Sequence, residues 1–126
     1  MGPENLEKAA LKLANDYEAT TNVTRGEALL EHNFPMIHAV GRAAHEAPRL
    51  VEFEWGNPAH PRLALIGKGI TFDTGGVNIK SAAGARIMKK DMGGAAHALA
   101  LAKMIMANNL PTVSYTHLTL PTTPYV

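Results

Sequence analysis

Residues 62–76 read RLALIGKGITFDTGG. The first six, Arg62 to Gly67, are an apolar run without polar alternation, and they predict a strand buried on both faces. Lys68 and Asp73 follow, five positions apart, among Gly67, Gly69, Gly75 and Gly76. A short strand-like piece, residues 70–72, separates them. Glycines let backbone approach a ligand closely. Open α/β sheets collect their ligands beyond the ends of parallel strands and at helix N-termini. A cation and a carboxylate at the end of a buried strand therefore mark this stretch as candidate chemistry.

Upstream, residues 4–18 place Leu6, Ala9, Ala10, Leu13, Ala14 and Tyr17 on one stripe at helical spacing, with Glu4 and Lys8 as an i,i+4 pair. Thr24 and Glu27 have capping-box spacing and predict a short second helix through Leu30. A third helix is expected over 36–45, ending before Pro48. Residues 50–55, LVEFEW, alternate as a half-buried strand. Residues 56–61, GNPAHP, are turn chemistry. Downstream, residues 74–87 read as a loop. Residues 93–108 predict a helix apolar nearly all round, ended by Asn108 or Asn109 in a left-handed cap and by Pro111. The order of elements implies a layered α/β/α domain around a central mixed, largely parallel sheet. Residues 114–126, SYTHLTLPTTPYV, carry no charge and no helical period, and taken alone read as an edge strand plus a tail.

With 126 residues there is room for one domain, long enough to bury a core. Hydrophobic content of 46% and charged content of 18% favour a globular chain over a disordered one. A formal net charge of +1 offers no electrostatic case for nucleic acid or an anionic membrane. The absence of cysteine excludes disulfides and thiolate metal sites and fits a reducing compartment. The start of the chain lacks the apolar core of a signal peptide, and residues 95–107 fall short of a bilayer span. A soluble, cytoplasmic protein is expected, and Asn22-Val23-Thr24 then matches the glycosylation triplet by chance.

The charged residues between positions 67 and 92 are Lys68, Asp73, Lys80, Arg86, Lys89, Lys90 and Asp91. Each has an ordinary alternative. Asp91 precedes Gly93-Gly94 and reads equally as a helix cap, Asp73 as a turn residue, and the lysines as solvated. The six histidines form no metal-ligand pattern; His32, His38 and His45 share no helical face, so surface or helix-end roles are expected. Met88, Met92, Met104 and Met106 read mostly as core filling.

Taken together, Lys68, Asp73, Lys80 and Asp91 stand within GKGITFDTGGVNIKSAAGARIMKKDMGGAA. This block resembles the leucyl aminopeptidases, the dinuclear-metal peptidases of the M17 type. The likeness is close over residues 62–107, and NFPMIHAVGRAAHEAPRL (33–50) is similar to the segment entering that family's catalytic domain. The resemblance implies release of N-terminal amino acids from peptides by a water activated between two divalent ions, Zn²⁺ or Mn²⁺ with Mg²⁺ possible at the weaker position. It implies Lys68 as a metal ligand through a neutral amine, Asp73 as the bridge between both ions, and Asp91 on the same ion as Lys68. Lys80 would stay cationic and stabilise the oxyanion. Met88 would line the pocket for the first side chain, a weaker carry-over. Peptide substrates and a homohexamer follow from the same likeness.

The family completes its site with N-T-D-A-E-G-R, which supplies further ligands and an arginine that positions bicarbonate, and this sequence does not contain it. On this reading residues 1–111 are the N-terminal part of a catalytic domain, cut off before the site is complete. Residues 112–126 are a tail foreign to the family, of the kind read through from sequencing adaptors, and are set aside from the fold. The chain as written is expected to hydrolyse nothing. Two rivals differ in class. Asp73-Thr74-Gly75 matches an aspartic-protease triplet, which would demand an all-β domain and leave Lys80 and Asp91 idle. A truncated, non-catalytic scaffold is favoured by the missing second ligand motif. Gly67-Lys68-Gly69 lacks the spacing of a phosphate-binding loop.

Overall fold

The computed structural model describes residues 2–71 and 81–120. Its elements are α1 (Pro3–Asp16), β1 (Thr20–Arg25), α2 (Ala28–Glu31), α3 (Pro35–Gly41), β2 (Arg49–Trp55), β3 (Arg62–Lys68), α4 (Ala82–Arg86), a 3-10 turn (Met88–Met92), α5 (Gly93–Ala107) and β4 (Val113–Leu120). The strand expected at 70–72 is not formed at Ile70 and Thr71; Phe72 and most of the expected loop lie outside the described residues, and the end of that loop is the short helix α4.

The first helix forms where its stripe predicts it. Pro3 occupies the first turn, where its missing N–H costs nothing, and Leu6, Ala10 and Ala14 are buried four residues apart. Glu4 and Lys8 pair at 2.8 Å. The helix expected from Thr24 is instead a strand. Thr20, Thr21, Val23 and Thr24 are β-branched and extend naturally, and β1 pairs antiparallel with β2, Thr24 opposite Leu50. Gly26 then turns at φ +55, a left-handed conformation. The expected capping geometry is lost, and α2 spans only four residues.

The sheet runs β1-β2-β4-β3, with β1–β2 and β2–β4 antiparallel and β3–β4 parallel. It is mixed, as expected, but among the described residues one of its three pairings is parallel, where a largely parallel sheet was expected, and two placements also differ from the sequence reading. First, the stretch set aside as a tail supplies the central strand, with Val113, Leu118 and Leu120 fully buried. Its lack of charge and its threonines, read as tail-like, are also what a strand between two others requires. Second, β3 is an edge strand among the described residues, and Ile66 is 78% exposed. An apolar run marks both faces as capable of burial, not which one is covered.

Registers assign the faces. Val51, Phe53, Leu65, Thr116, Leu118 and Leu120 share the face covered by α1 and α5. Ala95, Ala98, Ala102, Ile105 and Met106 of α5 complete that core, so α5 buries one side while Leu101 and Met104 stay exposed. Asn109, at φ +47, ends the helix as its sequence indicates. On the other face, α2 contacts β1 and α3 contacts β2, and Thr24 and Leu50 are buried at that end.

On the face covered by α1, one polar cluster ties that helix to β1 and β2. Glu7 of α1 accepts from Arg25 Nε at 3.1 Å and from Arg49 Nη1 at 2.6 Å, with a further contact from Arg25 Nη2. Glu7 and Arg49 are both buried. Burial by itself pushes the Glu7 carboxyl up, but the hydrogen bonds and charges of the two arginines outweigh it and hold the group below its ordinary range.

Candidate metal centre

Lys68 is the last residue of β3, and the chain continues through Gly69, whose N–H donates to Thr119 O at 2.8 Å. Asp91 lies in the 3-10 turn that leads into α5. The two elements meet because α5 packs on β3, and Lys68 Nζ donates to Asp91 Oδ1 at 3.2 Å. The side chains are 59% and 29% exposed. Such a partly solvated pair is worth at most about 1 kcal/mol, so a bound cation would have little to displace.

The capping reading of Asp91 does not hold. Met92 occupies the N-cap position of α5, its side chain makes no capping bond, and Asp91 pairs with Lys68 instead. Lys68 is likewise paired and not merely solvated. An amine and a carboxylate 23 positions apart in sequence thus converge from two elements. Their donor atoms suit a borderline divalent ion. Met88 is 4% exposed and sits in the same turn as Asp91. Asp73 and Lys80 lie outside the described residues. Among the described residues no group of three or more His, Asp or Glu is placed to hold a metal, so the described part of the candidate centre is this single pair.

The histidines stand apart from it. His32 and His97 each donate through Nδ1 to the carbonyl four residues earlier, Ala28 O and Gly93 O, at 2.9 and 2.7 Å. His38 Nε2 contacts Glu27 Oε1 at 3.0 Å. A groove of about 650 Å³ runs between α1 and α5, lined by residues such as Lys12, Asp16 and Lys103, and includes neither Lys68 nor Asp91. Its size does not make it the site. A smaller groove of about 360 Å³ starts beside Gly94 and runs past Ile66 to Leu101, and it too includes neither Lys68 nor Asp91.

Sequence reasoning missed the close strand–helix contact that brings the pair together. It read Gly75 and Gly76, which lie outside the described residues, as room for a ligand and gave Gly67 and Gly94 no packing role. At Gly67 and Gly94 the space is filled by the protein's own backbone. The signal was present as glycines on both sides of the contact, but which backbone each admits is decided by the fold.

An α/β domain with a lysine–aspartate pair at a strand end is the arrangement expected of an M17-type metallopeptidase. The family model described as "Cytosol aminopeptidase family, catalytic domain" matches residues 1–123. The chain belongs to this family. It is 47% identical over 112 residues to peptidase B of Serratia proteamaculans, covering 81% of this chain and 26% of that protein. The crystal structure of the cytosol aminopeptidase from Coxiella burnetii superposes with a TM-score of 0.91 at 41% identity, covering all of this chain and 28% of that one. The bottromycin maturation enzyme BotP, solved in complex with Mn, superposes with a TM-score of 0.84 at 33% identity, over 98% of this chain and 27% of that one. The chain therefore spans about a quarter of the length of the relatives it matches. Membership disposes of the aspartic-protease reading, as do the long helices α1 and α5.

Proposed function

We propose that this chain carries part of the active site of a metal-dependent aminopeptidase that releases N-terminal amino acids from peptides. The carrying observation is the convergence of Lys68 Nζ and Asp91 Oδ1 at 3.2 Å from the end of β3 and the turn before α5. Lys68, Asp91 and Asp73 would be the residues of this chain that hold the divalent ions. Zn²⁺ or Mn²⁺ suits this set, and the family neighbour solved with Mn is consistent with it. When bound, two such ions activate a water and polarise the scissile carbonyl. Lys80 remains cationic and stabilises the oxyanion through its charge. Met88 contributes an apolar wall toward the first side chain of the peptide. Bicarbonate as the base, the homohexamer and a cytoplasmic location rest on family likeness. Among the described residues no helix is long and apolar enough to cross a membrane.

By itself the 126-residue chain is inactive in this reading, because its sequence lacks N-T-D-A-E-G-R and so the second ion is short of ligands. The boundary after residue 111 is also part of the proposal, although the family match runs to residue 123. What supports it is that β4 puts the hydroxyls of Ser114 and Thr116 into the core without partners. Reading the DNA downstream of codon 111 tests the boundary. If N-T-D-A-E-G-R is encoded within about 100 codons in place of the present tail, the parent has a complete site. If the tail is genuine and the motif absent, the non-catalytic scaffold is the correct reading. Metal binding tests the half-site directly. Lys68→Met and Asp91→Asn should each weaken Zn²⁺ or Mn²⁺ binding at least tenfold, and unchanged affinity in both would sink the assignment.

A further inference from the structure

The Lys68–Asp91 pair depends on how closely α5 approaches β3. At Gly67 an added Cβ would lie 2.7 Å from Ala95 Cα, 2.9 Å from Gly94 O and 3.0 Å from Ala95 N. At Gly94 it would lie 3.0 Å from Lys68 N and 3.1 Å from Lys68 O. All these neighbours are backbone atoms, which cannot swing aside as the end of a side chain can. Neither glycine is among the residues with positive φ. Their value here is room, not backbone freedom. Gly93 provides the contrast within the same helix turn: a Cβ there meets nothing within 4 Å.

We propose that Gly67 and Gly94 are positioning residues for the candidate metal centre. By letting the first turn of α5 rest directly on the β3 backbone, they set the separation of Lys68 and Asp91. Asp91 stands three residues before Gly94, in the turn that runs straight into α5. A methyl at position 94 must part this helix end from Lys68 by a few tenths of an ångström, and one at position 67, closer still to Ala95 Cα, by more; Asp91 moves with the helix end. Ligand constellations tolerate displacements of only about 0.5 Å. Loss of the residues that orient a metal ligand typically weakens the metal 10–100-fold. The metal consequence rests on the function proposed above, whereas the spacing consequence does not.

The experiment has a metal arm and a metal-free arm on the full 126-residue chain. In the first, Zn²⁺ alone is titrated against a competing chromophoric chelator. Gly94→Ala should weaken binding at least tenfold, while Gly93→Ala stays within twofold. Gly41→Ala crowds Pro48, outside the α5–β3 contact, its Cβ falling 2.4 Å from Pro48 Cβ. It serves as the control for general destabilisation and should leave the affinity unchanged. In the second arm, without metal, the nuclear Overhauser contact between the Lys68 ε and Asp91 β protons should be present in the parent and in Gly93→Ala and at least threefold weaker in Gly94→Ala. Should Gly94→Ala fail to fold, Gly67→Ala crowds the same contact from the strand side and replaces it. Retention of the proton contact in the crowded variant overturns the positioning role. If the parent binds no Zn²⁺ but the contact is lost in Gly94→Ala, the metal assignment fails and the positioning role stands.

Discussion

Thr116→Val should make this protein more stable. Thr116 is fully buried in the middle of β4, opposite Phe53 on one side and Leu65 on the other, on the face covered by α1 and α5. Its Oγ1 has no hydrogen-bond partner among the described residues. A buried hydroxyl without a partner costs about 1–3 kcal/mol, the hydration it gave up on folding. Valine keeps the β-branched shape and strand preference and replaces the hydroxyl by a methyl. The expected gain is therefore about 1–2 kcal/mol, the low end allowing for some relaxation around the hydroxyl in the parent. For a chain of this size that raises Tm by roughly 4–8 °C. It moves the urea midpoint upward by roughly 0.5–1 M, with the slope unchanged. Thr119→Val, on the opposite and partly exposed face, is the comparison and should change stability by less than about 0.5 kcal/mol. Equilibrium urea unfolding followed by circular dichroism measures both. A Thr116→Val chain no more stable than its parent, at equal slope, would refute the reasoning: the hydroxyl would then be satisfied in solution, for instance by a buried water.

Three further outcomes are expected. Glu7→Gln leaves Arg49 buried without a counter-charge and should destabilise the fold by about 3 kcal/mol. The same carboxyl is held below its ordinary value of 4.5, so its contribution is complete above that pH and is lost as pH falls through the lower folded value; the acid limb of the stability curve should flatten in Glu7→Gln, and an unchanged limb would remove Glu7 as its source. The Glu54 carboxylate beside Tyr115, with some desolvation, holds the phenol above its ordinary 10.0, so Glu54→Gln should shift one tyrosine's titration at 295 nm downward. Purified 1–126 supplied with Zn²⁺ or Mn²⁺ should not cleave leucine p-nitroanilide, and metal-dependent turnover would show that the missing ligand motif is dispensable.

Much of the candidate site was legible because its residues are close together in sequence. Lys68, Asp73, Lys80 and Asp91 sit within 24 positions, and their order among paired glycines identified the family before any coordinates. The helix stripe of residues 4–18 and the alternation of 50–55 were legible for a similar reason, since each periodicity reports one buried face. The misreadings came where two explanations share the same letters. Thr24 and Glu27 have the spacing of a cap, but Thr24 had a strand partner in Leu50, and pairing decides between them. The run RLALIG permits burial on two faces, yet Ile66 is exposed because no described strand or helix covers it. The uncharged stretch after Pro111 read as an edge strand plus a tail, and its lack of charge equally suits the place it takes between β2 and β3.

The sequence by itself determined the family, the candidate ligands and the two long helices. These depend on residue identity and on spacings of a few positions, which the chain carries without reference to its fold. Only the tertiary structure decided that Asp91 faces Lys68 and does not cap a helix, and that β4 lies at the centre of the sheet. The same holds for Glu7, which gathers Arg25 and Arg49, and for Gly67 and Gly94, where the backbone of Gly94-Ala95 and of Lys68 respectively fills the space a side chain would take. Each of these joins residues at least 18 positions apart. Their proximity is settled by which strands pair and which helix covers them, and no local pattern records that.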